Sequence, residues 1–205
     1  MPGLLQRTLT LATLTTLPAM ACADNLYKVE MLVFANESGI GVQDEYWPDV
    51  TPVDTSSAVF TRPWNGYPLE AFEELPRNDL RLGNDAALLG RNGRYQVLYH
   101  RGWLQTISRS QKAPSVRIKA STGKYELDGS INISRNRFLH ARPNLQLSQH
   151  SLPAPVSTET DAPITPNYRP SAWLLQDARR MRSNEIHYID HPKMGILLMI
   201  RPVSN

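Results

Sequence analysis

The hydrophobic pattern is strongest at the C-terminal end of the chain, in residues 179–202. A basic run of alternating polar and apolar residues, 179–189, leads to the turn DHPK at 190–193 and then to the unbroken apolar run 194–200. Pro192 suits a turn because its ring fixes φ and it lacks an N–H, and the apolar run is too short and too branched for a favoured helix. The pattern predicts a β-hairpin whose last strand, apolar on both faces, lies inside a sheet.

Four further segments have strand patterns. Residues 26–34 (LYKVEMLVF) and 95–103 (YQVLYHRGW) are rich in aromatic and branched side chains. Residues 124–134 show the clearest alternation of the chain, with one polar face, and this favours an antiparallel sheet. Residues 137–147 continue as the hairpin partner, which Pro143 marks as an edge or bulged strand.

One helix is expected to cover this sheet. Residues 79–89 consist mostly of helix formers, with capping residues before them and Gly90 after them. Residues 171–175 suggest a short helix or turn. The predicted fold class is α+β in a single domain, a mainly antiparallel sheet of about five to six strands with one covering helix and long irregular loops.

The N-terminal pattern is that of a secretory signal. Residues 1–23 contain a basic residue, an uncharged apolar stretch and small residues before the expected cleavage after Ala23, with Ala21 as the alternative. The apolar stretch is shorter than the roughly 20 residues that a membrane span needs. Lipidation of Cys22 is disfavoured, since the usual leucine three positions upstream is missing. The mature chain, 24–205, then has no cysteine.

Two segments interrupt the strand patterns. Residues 35–68 form a long irregular loop with isolated aromatics, and residues 148–170 form a proline-rich excursion at the surface. The chain holds 22 Lys and Arg against 19 Asp and Glu. This small excess does not indicate nucleic acid or membrane binding, and stable membrane insertion is not expected.

Two kinds of catalytic or metal chemistry are weighed and disfavoured. The metal candidates are Glu185, His187, Asp190 and His191, together with His140. They lie on a strand and a turn, where a four-residue spacing does not place ligands together. The second candidate is the pair Glu126 and Asp128, which could serve a glycan hydrolase but also fits a solvated strand face. We therefore expect no enzyme activity, no metal and no cofactor.

A binding surface is the preferred hypothesis. Arginine forks pair with carboxylates and aromatic faces stack on sugar rings, so an anionic sugar polymer would suit a surface rich in both. Trp103 is expected in the core. The candidate ligand-binding residues are Arg135, Arg137, Arg142, Arg179, Arg180, Arg182, Trp47 and Trp64.

The segments quoted above also carry a family resemblance. The opening YKVEMLVF, the middle YQVLYHRGWLQ, then YELDGSINISRNRFLHARPNLQL and above all the closing RRMRSNEIHYIDHPKMGILLMIRP resemble the CsiV family of periplasmic, peptidoglycan-binding cell-shape-integrity proteins. The resemblance implies a non-enzymatic periplasmic protein that binds peptidoglycan and supports cell-wall synthesis. It also implies a partner, an outer-membrane lipoprotein activator of a bifunctional, class A penicillin-binding protein. A protein-interaction adaptor without wall affinity and a wall hydrolase remain the alternatives.

Overall fold

Two antiparallel sheets pack face to face in this chain. The computed structural model describes residues 26–38, 51–66, 69–108, 113–150 and 171–203. The strands are β1 (Leu26–Asn36), β2 (Tyr95–Thr106), β3 (Val116–Ser121), β4 (Tyr125–Arg135), β5 (Leu139–Gln149), β6 (Ser171–Gln176), β7 (Arg179–Met181), β8 (Ile186–His191) and β9 (Met194–Pro202), and the helix is α1 (Gly83–Arg91). Sheet A has the order β2-β1-β9-β8, and sheet B has the order β3-β4-β5-β6, with β7 also paired to β5.

The main core lies between the two sheets. Alternate residues of β1, including Val29, Met31 and Val33, are completely buried against sheet B. Sheet B contributes the inward residues of its own alternating strands, and these give the i/B burial pattern of β4 and β5. Trp103 of β2 is also completely buried, which confirms its predicted place in the core.

The outer face of sheet A carries a second apolar cluster under the helix. Leu32 and Phe34 of β1 pack there with Leu82, which directly precedes α1. The predicted covering helix is therefore present, but it begins at Gly83 rather than at residue 79. The shift arises because Arg77–Asp79 forms a separate 3-10 turn that ends in an extended residue.

The closing hairpin is confirmed, and β9 lies between β1 and β8 inside sheet A as predicted. The alternating run before it is not one strand, however. Residues 179–181 form β7 in sheet B, whereas Ile186–His191 forms β8 in sheet A. Asn184 lies between them with φ of 65°, a left-handed conformation that asparagine tolerates, at the turn that carries the chain from one sheet to the other.

Three expectations need correction. The described residues contain nine strands rather than five to six, because the sheet is double. Residues 171–175, expected as a helix or turn, belong to the strand β6, which pairs with β5. Pro143 does not lie in an edge strand: β5 is interior, and Pro143 falls in the gap between the segments of β5 that pair with β6 and with β7.

Part of the predicted irregular loop, 35–68, and the segment that follows it run along one edge of the two sheets. Val59 forms a bridge with Val116 of β3, and Glu74 forms one with Trp103 of β2. The predicted signal, residues 1–23, and most of the proline-rich excursion lie outside the described residues. No helix within the described ranges is long and apolar enough to cross a membrane.

Candidate functional site

A basic and aromatic surface lies at one end of the outer face of sheet B. We call it the arginine surface and define it by Arg137, Phe138, His140, Arg142 and Arg180. His140 and Arg142 alternate with buried residues along β5 and therefore point outward. The strand register places Arg180 of β7 directly opposite His140. Three of the arginines predicted from the sequence thus share one surface.

The exposed ring of Phe138 lies close to two of the cationic side chains of this surface. Phe138 is 40% exposed, although it is apolar. The guanidinium carbon of Arg180 lies 4.7 Å from the centre of its ring, and that of Arg137 lies 5.6 Å away. Arg142 of β5 is held by β4, because its Nη1 donates a 2.9 Å hydrogen bond to Ser134 Oγ. A sugar ring could stack on Phe138 while the guanidinium groups bind carboxylates.

The rest of this sheet face is polar, and some of its side chains are held by hydrogen bonds. Arg117 Nη2 donates a 2.7 Å hydrogen bond to Asp128 Oδ2, and Asn132 Nδ2 donates one of 2.6 Å to the carbonyl of Ala113. Asp128 is therefore held in an ion pair with Arg117. Neither carboxylate lines the clefts described below. The geometry thus adds no support to a hydrolase built on this pair.

Two predicted arginines lie apart from the arginine surface. Arg135 ends β4 on the side that faces sheet A, where its Nη1 donates a 2.7 Å hydrogen bond to the hydroxyl of Tyr27. Arg179 is opposite a buried residue of β5, so it points to the other side of β7 from Arg180. Arg135 thus bonds one sheet to the other.

The remaining candidates are scattered. Arg182 follows β7 and is strongly exposed, and its Nη1 lies 3.7 Å from Glu185 Oε1. Trp64 is 45% exposed in the segment that runs along the other edge of the sandwich. Trp47 lies outside the described residues.

The histidines near the closing hairpin do not form a ligand set. His187 Nε2 accepts a 3.1 Å hydrogen bond from the backbone N–H of Arg182, and His140 belongs to the other sheet. Within the parts of the chain that the structure describes, no three His, Cys, Asp or Glu side chains come together as metal ligands.

A cleft beside β2 was not indicated by the sequence. It has a volume of about 600 Å³ and is lined by Glu74, Arg77, Leu80, Gly83, His100 and Arg101, among others. These residues come from β2 and from the segment that enters α1. No local sequence motif predicts the cleft, because its two sets of lining residues come together only when residues 74–83 fold over β2.

The wall of this cleft is held by a buried carboxylate. Glu30 is completely buried, and its oxygens accept hydrogen bonds from His100 Nε2 at 2.9 Å and from the backbone N–H groups of Arg81 and Leu82 at 2.7 and 2.8 Å. Burial alone would raise the pKa of Glu30, but these hydrogen bonds, led by that from His100, outweigh it and lower the pKa below its usual value. Glu30 therefore stays ionised and fixes both His100 and the entry to α1.

A second exposed surface is apolar. Ile186 and Tyr188 on the edge strand β8 are 51% and 46% exposed, and Leu88 on α1 is 65% exposed. Tyr188 stacks on Phe34 with ring centres 6.3 Å apart. A shallow groove of about 280 Å³ between Phe34, Leu88 and Leu197 continues this surface.

Exposed basic and aromatic groups that share a sheet face are suited to binding a ligand that carries sugar rings and carboxylates. The comparison with protein families agrees. The model of the family described as "Peptidoglycan-binding protein, CsiV" matches residues 4–203, so the chain belongs to the CsiV family. Searches of curated proteins and of solved structures each found no match.

Proposed function

We propose that this protein is a non-catalytic, periplasmic binder of peptidoglycan that attaches to the wall through the arginine surface. The family's description supports peptidoglycan as the ligand. The observation that supports the site is the approach of Arg137 and Arg180 to the exposed ring of Phe138. Peptidoglycan combines sugar rings with acidic peptides, and this surface offers an aromatic ring for the first and guanidinium groups for the second.

The proposal extends to the protein's place in the cell envelope. The signal pattern of residues 1–23 supports export and cleavage after Ala23. As the resemblance implies, wall binding would let the protein support cell-wall synthesis and cell shape by assisting a lipoprotein activator of a class A penicillin-binding protein. The exposed apolar groups of β8 and α1 are the surface best suited to such a protein contact.

Co-sedimentation with purified sacculi tests wall binding. We expect the mature protein to pellet with sacculi, and Arg137→Gln combined with Arg180→Gln to weaken the apparent affinity by at least about tenfold, because charge-assisted hydrogen bonds are lost. Arg91→Gln combined with Arg94→Gln is the matched control, since it removes the same charge from exposed positions near the end of α1. Equal losses in the two double variants would show that only net charge matters and would remove the arginine surface from the proposal.

An adaptor without wall affinity is the second candidate function. It is favoured by the exposure of Ile186 and Tyr188 on an edge strand, where a partner can add a strand or cover the apolar side chains. The same experiment separates the two functions. If the unmodified protein stays in the supernatant at low salt while a known wall binder pellets, the adaptor replaces the wall binder as the proposed function.

A further inference from the structure

We propose that the cleft beside β2 is a second ligand site, which takes the free carboxylate end of a peptidoglycan stem peptide. This inference rests on the proposed function and deepens it, because it separates recognition of the peptide from recognition of the sugar. The cleft lies on the sheet A side of the molecule, whereas the arginine surface lies on the outer face of sheet B.

The size of the cleft fits a short peptide end. Its volume of about 600 Å³ falls within the range of small-molecule sites, about 300–1,000 Å³. The arginine surface, by contrast, is part of an open sheet face, which suits an extended polymer rather than a chain end.

The cationic groups of the cleft match a carboxylate. Arg77 and Arg101 both line it. Arg101 is paired with Glu74, but the side chain of Arg77 forms no hydrogen bond or ion pair with any residue in the described ranges. A guanidinium group binds a carboxylate through two parallel hydrogen bonds, so Arg77 offers an unused fork for a ligand.

The apolar side of the cleft suits a small terminal side chain. Leu75 and Leu80 line it and pack directly over Gly102 of β2. A Cβ at Gly102 would lie 2.8 Å from Leu75 Cδ1 and 2.9 Å from Leu80 Cδ2, so the glycine permits this close packing. The leucines thus offer a methyl group an apolar contact next to the cations, and this arrangement suits a terminal alanine carboxylate.

The walls of the cleft are rigid before any ligand binds. Glu30 ties His100 to the two N–H groups that precede α1. Asp79 is held twice, by a 2.8 Å ion pair with Lys28 Nζ and by a 2.6 Å hydrogen bond from Arg201 Nη2 to its carbonyl oxygen. The backbone that carries Arg77 and the ring of His100 therefore lose little entropy on binding, and the side chain of Arg77 is the main group left to be ordered by the ligand.

Calorimetric titration with synthetic stem peptides tests the inference. The probe is the tetrapeptide that ends in D-alanine, compared with the same peptide carrying a C-terminal amide. We expect the amide to bind at least about tenfold more weakly, because the charge-assisted pair with Arg77 is lost. Equal affinity of acid and amide would overturn the inference.

Two variants locate the binding. Arg77→Gln changes an exposed side chain without a structural partner, so the fold should persist, and it should weaken binding of the free acid by about tenfold. Arg94→Gln is the control: Arg94 is exposed and does not line the cleft, so this variant should bind the free acid like the unmodified protein. If the two variants bind alike, the carboxylate lies elsewhere and the inference is wrong.

Two further arms separate this failure from failure of the proposed function. An all-L peptide of the same length with a free C-terminal alanine reports on protein C-termini, and equal binding of this peptide would overturn the assignment to the wall. Sacculi tested in parallel report on the proposed function itself. Pelleting with sacculi without tetrapeptide binding rejects the cleft and retains the wall binder, whereas loss of both rejects both.

Discussion

Glu30 connects the two segments that form the cleft, β2 and the entry to α1. It projects from β1 into the cluster under α1, where an apolar residue would continue the pattern of Leu32 and Phe34. Its carboxylate satisfies two backbone N–H groups that the irregular entry to α1 leaves without helical partners. The buried charge is thus balanced by three donors, two at the entry to α1 and one on β2, and removing the two carboxylate oxygens would leave these donors unsatisfied.

We predict that Glu30→Gln lowers the free energy of unfolding by about 1.5–3 kcal/mol near neutral pH, since the amide keeps one acceptor and turns a donor towards an N–H. The folded-state pKa of Glu30 lies below its ordinary value of 4.5, so the stabilising contribution is complete above that value and disappears as the pH falls through the lower folded pKa. Urea unfolding from about pH 7 to about pH 3 should therefore show the two proteins converging in acid. A constant difference across this range would mean that the charge of Glu30 does not stabilise the fold.

At the level of elements, the periodicity of apolar residues is sufficient to predict the strands that are long and alternate. The segments that became β1, β2, β4, β5 and the closing hairpin were all evident from the sequence. The short strands were not: β3 lies in a stretch that looks like a polar connection, and the pattern places the three residues of β7 in the closing hairpin rather than in sheet B. Such strands are specified by their partners rather than by their own pattern. For the same reason, sequence spacing could not reveal the cleft, which needs residues 74–83 to fold over β2.

Two glycines give a test of the local geometry of elements. Gly90 lies in α1 with nothing within 4 Å of an added Cβ, so Gly90→Ala should raise the free energy of unfolding by about 0.5–1 kcal/mol. Gly129 in β4 has φ of 152°, and an added Cβ would lie 2.2 Å from the carbonyl oxygen of Asn144. Gly129→Ala should therefore destabilise the protein by about 3 kcal/mol, the upper end of the usual overpacking cost.

Thermal or urea unfolding of the two alanine variants measures both effects in one series. The opposite signs are the informative result, because the chemical change is the same. Destabilisation by Gly90→Ala would show that α1 needs the glycine for a reason other than helix geometry.

At the level of the whole molecule, the two sides of the sandwich differ. The side formed by β2 and β3 is covered by the segment that contains Val59 and Glu74. On the other side, β6, β7 and β8 each pair with one neighbouring strand within the described residues. The arginine surface extends to this second side through Arg180.

The arginines of β7 therefore have a second consequence, which concerns solubility. Unpaired strand edges attract the edges of other molecules, and proteins prevent this with very short strands and charged side chains. β7 is three residues long, and Arg179 and Arg180 occupy two of its positions. We predict that Arg179→Val combined with Arg180→Val makes the protein self-associate at high concentration, as measured by light scattering after size-exclusion chromatography.

The double change Arg91→Val and Arg94→Val, which leaves the strand edges untouched, is the control. If both double variants stay monomeric, or if both associate, the charges of β7 do not prevent strand-edge pairing. Association of the β7 variant alone would show that the positive charge of β7 keeps the open side of the sandwich from pairing with copies of itself, so that Arg180 serves both the surface that we propose for the wall and the solubility of the protein.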